Sequence, residues 1–112
     1  MKVYYELFDS KNLLELGKLY SDHSTMSFNE DDALGSENII KVISPIVKQG
    51  AIHIIESANY QPTADGGVLV HCIGKIQVGD DPFYSFSQAF VLNPAGDKLF
   101  IQNDVFQLVS CD

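Results

Sequence analysis

From Val3 to Tyr20 the apolar positions recur at three- and four-residue spacing, first Tyr4, Tyr5 and Phe8, then Leu13, Leu16 and Tyr20. That period lines them along one stripe of a helix. Asp9 and Ser10 interrupt the run with short polar side chains suited to capping, so the pattern predicts two helices in series with a break there. Thr25 to Phe28 reads as a short strand, and the residues that follow, as far as Leu34, as a polar connection. At Gly35-Ser36 a third helix opens, with Ser36 as its N-cap and Ile39, Ile40 and Ile43 as its buried stripe. Pro45 lacks the N–H that a helix interior needs, so it is expected to end or kink that helix.

Beyond Gly50 the period changes to two. Four runs, 51–57, 68–78, 84–92 and 98–108, are rich in branched and aromatic residues. They are separated by turn signals at Gln61-Pro62, Asp65-Gly66-Gly67, Asp80-Asp81-Pro82 and 93–96, and they predict strands of an antiparallel meander. In the third run Phe86, Gln88, Phe90 and Leu92 point one way while Ser85, Ser87, Ala89 and Val91 point the other. Helices first and strands after give an α+β fold in a single domain spanning residues 1–112.

Three helices can cover one face of such a sheet, which must curl around them. On the second run the outward set is either Val68, Val70, Cys72 and Ile76 or Leu69, His71 and Ile73, and neither is polar enough for water. The uncovered face therefore predicts an interface, and we expect a homodimer.

Composition narrows the function. The formal net charge is −8 and the chain has no arginine, which argues against nucleic acid, since phosphate neutralisation and guanine readout lean on clustered Lys and Arg. A basic protein partner is the natural complement. Cys72 and Cys111 form neither a C-x-x-C pair nor a disulfide framework, and the start, MKVYYELFD, holds no apolar leader, so a soluble protein of cytosol or nucleus is expected. His23, His53 and His71 lack ligand spacing, so neither metal nor cofactor is expected. For acid–base catalysis only His71, Tyr60 and Asp104 qualify, and no spacing joins them into a dyad.

Four stretches, "YYELFD" (4–9), "LYSDHSTMSF" (19–28) with "GSENII" (35–40), "YQPTADGGVLVHCIGKI" (60–76) and "FSQAFVL" with "FIQNDVFQL" (86–108), together resemble the nuclear transport factor 2 family in order and spacing. The resemblance implies a cone-shaped α+β fold, three N-terminal helices packed in a strongly curved antiparallel sheet, and a dimer formed through the sheets. It also implies carriage without catalysis: the GDP form of the small GTPase Ran is taken into the nucleus through contacts with phenylalanine-glycine repeats of nucleoporins. The expected locations are cytoplasm, nucleus and the pores between them.

In the family an aromatic side chain of Ran enters a cavity at the open end of the cone while rim acids pair with its lysines. By that resemblance Asp81 takes one rim position, Gly79 stands at a second with Asp80 beside it, and Asn29 stands where a glutamate is usual, followed by Glu30, Asp31 and Asp32. Phe28 occupies the place of a tryptophan that packs against the nucleoporin phenylalanine, and Gln107 replaces an arginine. An aromatic from a longer N-terminal helix of the family has no counterpart after Met1. His53 matches a histidine common in the family and is expected to make a structural hydrogen bond. A second reading keeps the fold as a dimerisation and peptide-docking module like those of stress-granule scaffolds and ubiquitin-protease cofactors, which "FVLNPAGDKLFIQND" also resembles.

Overall fold

In the computed structural model, which describes residues 2–109, two short helices precede the first strand: α1 (Lys2–Asp9) and α2 (Leu13–Gly17). Strand β1 (Tyr20–Phe28), a short β2 (Asp31–Leu34) and α3 (Ser36–Gln49) follow, and the chain then runs through β3 (Ala51–Pro62), β4 (Val68–Val78), β5 (Tyr84–Ala95) and β6 (Lys98–Leu108). One curved six-stranded sheet results, in the order β2-β1-β6-β5-β4-β3. Its meander β3 to β6 is antiparallel, as expected, although Gln61-Pro62 and residues 93–95, expected as turns, are paired within β3 and β5; β1 joins β6 in parallel, so the sheet is mixed.

The register explains the core. Directly paired residues point to the same side of a sheet, and the row Met26, Asp104, Phe90, Val70 faces the helices, as does the row Phe28, Phe106, Gln88, Cys72. These pack with Tyr4, Tyr5 and Phe8 of α1, Leu16 of α2, and Ile39, Ile43 and Val47 of α3 in a single apolar cluster. The alternate rows, Ser27, Val105, Ala89, His71 and Thr25, Asn103, Val91, Leu69, lie on the outer side. So on β4 it is Leu69, His71 and Ile73 that face outward, and Leu69, Ile73 and Val105 are each more than a third exposed.

Several local expectations need correction. β1 begins at Tyr20, where the helical period predicts the second helix, because parallel pairing with β6 supplies hydrogen bonds that no local pattern reveals. The polar connection after Phe28 contains β2, hydrogen-bonded back onto β1. α3 continues past Pro45 to Gln49: Ile39, Ile43 and Val47 anchor it at four-residue spacing on the buried side, while Pro45 is solvent-exposed, so water can satisfy the carbonyl it leaves unpaired. Gly35 is the N-cap of α3, and the Ser36 hydroxyl donates instead to the Gly17 carbonyl at 2.7 Å. α2 is capped by Asn12, whose side chain accepts from the Glu15 N–H at 3.2 Å, since the Asp9 carboxylate is committed elsewhere.

Candidate functional site

At one end of the sheet an apolar cavity of about 120 Å³ opens between α3 and strands β1, β4, β5 and β6. Ile46 of α3, Ile76 and Val78 of β4, Tyr84 of β5 and Phe106 of β6 form its walls, with Phe28 closing β1's side. Phe28 and Phe106 stack with centroids 4.5 Å apart and planes 7° from parallel, and Phe28 is only 6% exposed. The ring is thus a wall of the cavity with one face already covered.

Two polar groups sit on the rim. Asp81 lines the mouth from an exposed turn in which its N–H donates to the Val78 carbonyl at 3.1 Å. Asn29, at φ 56°, follows β1; its N–H donates to the Phe106 carbonyl at 2.8 Å and its side-chain oxygen accepts from the Leu108 N–H at 2.9 Å. Asn29 therefore stitches β1 to the end of β6 and spends its acceptor on backbone. Asp80 is exposed on the same turn as Asp81 but does not line the cavity. Gly79, just before it, adopts φ 58°, with its N–H bonded to the Gly50 carbonyl at 2.8 Å. Of the acidic run after Asn29, Asp32 accepts from the Ser27 hydroxyl at 2.8 Å along the β1–β2 pair.

Phe28, Asn29 and Asp81, singled out across more than fifty residues of sequence, thus meet at one mouth. Tyr84, one of the aromatics beside the acidic turn, joins them, while Ile46 and Leu108, which complete the mouth, carry no sequence signal apart from core.

The remaining polar chemistry lies deeper. Asp104 is fully buried; it accepts from the Tyr20 hydroxyl at 2.7 Å and from the Gln88 amide at 2.9 Å, and the Gln88 carbonyl accepts from the Tyr5 hydroxyl at 2.9 Å. Burial pushes the Asp104 carboxyl up to about 6, against the pull of its donors, and pushes Tyr20 well above the usual phenol range. The one sign of this cluster in the sequence is Gln88, polar on an otherwise aromatic inward face. His53 is held separately: Asp9 accepts from its backbone N–H at 2.9 Å and pairs with its Nδ1 at 2.6 Å, while Tyr5, Phe8 and Phe86 surround the ring. This is the structural bond expected of His53.

The three acid–base candidates end in three places. His71 lies on the outer face 3.1 Å from the Ser87 hydroxyl, Tyr60 is 57% exposed on β3, and Asp104 is enclosed in the core. Nothing joins them. Among the described residues no three His, Cys, Asp or Glu side chains are grouped to hold a metal ion, and no helix is long and apolar enough to cross a membrane.

Residues 1–108 match the family model of the nuclear transport factor 2 (NTF2) domain. The chain belongs to the nuclear transport factor 2 family. It is 34% identical over 108 residues to nuclear transport factor 2 of Neurospora crassa, covering 95% of this chain and 86% of that protein. It is 36% identical over 107 residues to nuclear transport factor 2 of Oryza sativa subsp. japonica, covering 94% and 87%. Nuclear transport factor 2 from Cryptosporidium parvum superposes with a TM-score of 0.89 at 29% identity, covering 96% of this chain and 87% of that one. The yeast complex of the deubiquitinase Ubp3 with its cofactor Bre5 gives 0.85 at 21% identity over 97% and 90%, a likeness of fold alone. A nuclear-transport role follows from this kinship with proteins named nuclear transport factor 2.

Proposed function

We propose that this protein is a homodimeric carrier that binds the GDP form of Ran and passes nuclear pores by touching phenylalanine-glycine repeats of nucleoporins, moving between cytoplasm and nucleus. The observation that carries the reading is the cavity with Asp81 on its rim. An engineered apolar cavity of about 150 Å³ accepts a benzene ring, so a site of this size and lining suits an inserted aromatic side chain. Asp81 faces that entrance and Asp80 adds charge on the same turn, which favours a partner presenting lysines beside the aromatic, as does the net charge of −8. Asn29 contributes to the mouth by fixing its rim rather than by charge.

For the nucleoporin contact we assign Phe28 a supporting role through the edge of its ring at the cavity wall, the face being stacked on Phe106. For the dimer we assign the outer sheet face, where Leu69, Ile73 and Val105 surround the smaller Ala89. His71 and Ser87 lie among them, and a face that mixes exposed apolar residues with a few polar ones is what self-complementary interfaces bury.

The test is a pull-down with Ran loaded with GDP or with a GTP analogue. Preference for the GDP form, abolished by Asp81→Lys in a protein that still melts cooperatively, is the expected result. Equal retention of both forms, or of neither, refutes the carrier reading.

A further inference from the structure

The five polar groups that meet inside the cone come from four elements: Tyr4 and Tyr5 from α1, Tyr20 from β1, Gln88 from β5 and Asp104 from β6. Asp104 is 0% exposed, and none of the ion pairs among the described residues includes it. A buried carboxylate with donors but without a cation is a costly arrangement, relieved most simply by taking up a proton. If the Asp104 carboxyl carries a proton it donates to Tyr20 Oη, in place of the bond that the ionised carboxylate accepts from it. Tyr4 Oη, buried beside the cluster, makes no hydrogen bond and so brings the carboxylate no further donor.

We propose that Asp104 is a proton-linked anchor for helix α1, holding it tightly when the carboxyl is neutral and loosely when it is ionised. The connection runs from Asp104 through Gln88 to Tyr5, with Tyr4 one residue away on the same helix. Among the described residues the other side-chain hydrogen bonds that hold α1 to the sheet are the two between Asp9 and His53 at its far end. An eight-residue helix is too short to persist by itself, so its order depends on such attachments and on burial of Tyr4, Tyr5 and Phe8. Among the described residues the elements packed around Asp104 bring no competing charge to it. α1 offers Tyr4 and Tyr5, β1 offers Tyr20, β4 offers the buried Cys72 beside Tyr5, β5 offers Gln88, and α3 faces inward with Ile39, Ile43 and Val47. His53 of β3 lies against the Tyr5 ring but is committed to Asp9.

The direction follows from burial, which raises the folded carboxyl from 3.8 to about 6. A raised acid contributes stability that is fully present below its unfolded value and is lost as pH rises through the folded one. Undocking α1 admits water to Asp104 and returns it to the ordinary carboxylate range, so the docked state weakens by about tenfold between pH 5 and pH 7.5.

Amide hydrogen exchange of α1 in the whole protein, corrected for the intrinsic effect of pH, reads this directly. Opening of α1 should rise about tenfold across that interval in the natural sequence and stay level in Asp104→Asn, while β4 and β5 amides show a smaller change in both. A rise of the same size in Asp104→Asn, or none in the natural sequence, overturns the proposal. Should Asp104→Asn fail to fold, the carboxyl ¹³C shift of Asp104 in the natural protein decides. A midpoint near 6 that coincides with the loss of α1 protection supports the anchor, and a midpoint in the usual carboxylate range refutes it.

Discussion

Replacing Gly74 by alanine should separate β3 from the rest of the sheet. Gly74 pairs with Ile55 of β3 and Phe86 of β5, beside the register break between Ile55 and Ser57. A Cβ built there would lie 2.1 Å from the Ile54 carbonyl oxygen and 3.1 Å from Ile55 Cα, both backbone atoms with no rotamer to escape into. To restore ordinary contact β3 has to retreat by more than about 1 Å, which stretches the adjacent β3–β4 hydrogen bonds beyond useful length. Losing one or two bonds at about 1 kcal/mol each, with overpacking of about 1–3 kcal/mol, gives a cost of about 2–5 kcal/mol. For a domain of this size that lowers Tm by roughly 10–25 °C. Urea denaturation followed by circular dichroism measures the loss. Because β3 is the edge strand, hydrogen exchange should accelerate at residues 52–55 while β5 and β6 stay protected. A loss below about 0.5 kcal/mol, or equal loosening of β5–β6, would show that the close approach is not what fixes glycine at this position.

Phe28→Ala removes one member of the stacked pair and should cost about 3–5 kcal/mol in a denaturant melt, as buried phenylalanine truncations do; a cost below about 1 kcal/mol would mean the ring is not integral to the cavity wall. Val105→Glu places a charge in the middle of the outer face, so light scattering should report the mass of a monomer where the natural sequence gives a dimer, and an unchanged mass would move the interface elsewhere. Asp9→Ala strips the acceptor from the His53 backbone N–H and ring, and a loss of about 1–3 kcal/mol is expected in thermal melts; no loss would mean water replaces the carboxylate freely.

What the chain discloses by itself is governed by distance along it. The alternation through Phe86, Gln88 and Phe90 is local, and all three are buried as the pattern demands. The stripe of α3 is equally local and survives Pro45, whose effect depends on which side of the helix meets solvent. The parallel join of β1 to β6 is not local: Thr25 meets Asn103 and Met26 meets Asp104, and neither partner carries a mark of the other. The cap at Asp9-Ser10 failed for the same reason, since Asp9 has a partner 44 residues away. At the site, family resemblance supplied Asp81, Asn29 and Phe28, and the fold adds what the resemblance omits. Asn29 has its side-chain oxygen tied to Leu108, and Phe28 has one face against Phe106.

The β1–β6 join also sets an order of events. Phe28 and Asn29 leave the ribosome well before Phe106 and Leu108, which complete the same mouth. Closing that cavity requires contacts almost eighty residues apart, the kind that make folding slow. A nascent chain stopped anywhere before β6 exposes an unpaired β1 edge and half a pocket, so the mouth is complete only once β6 has been made. Until then the open β1 edge is of the kind that chaperones recognise.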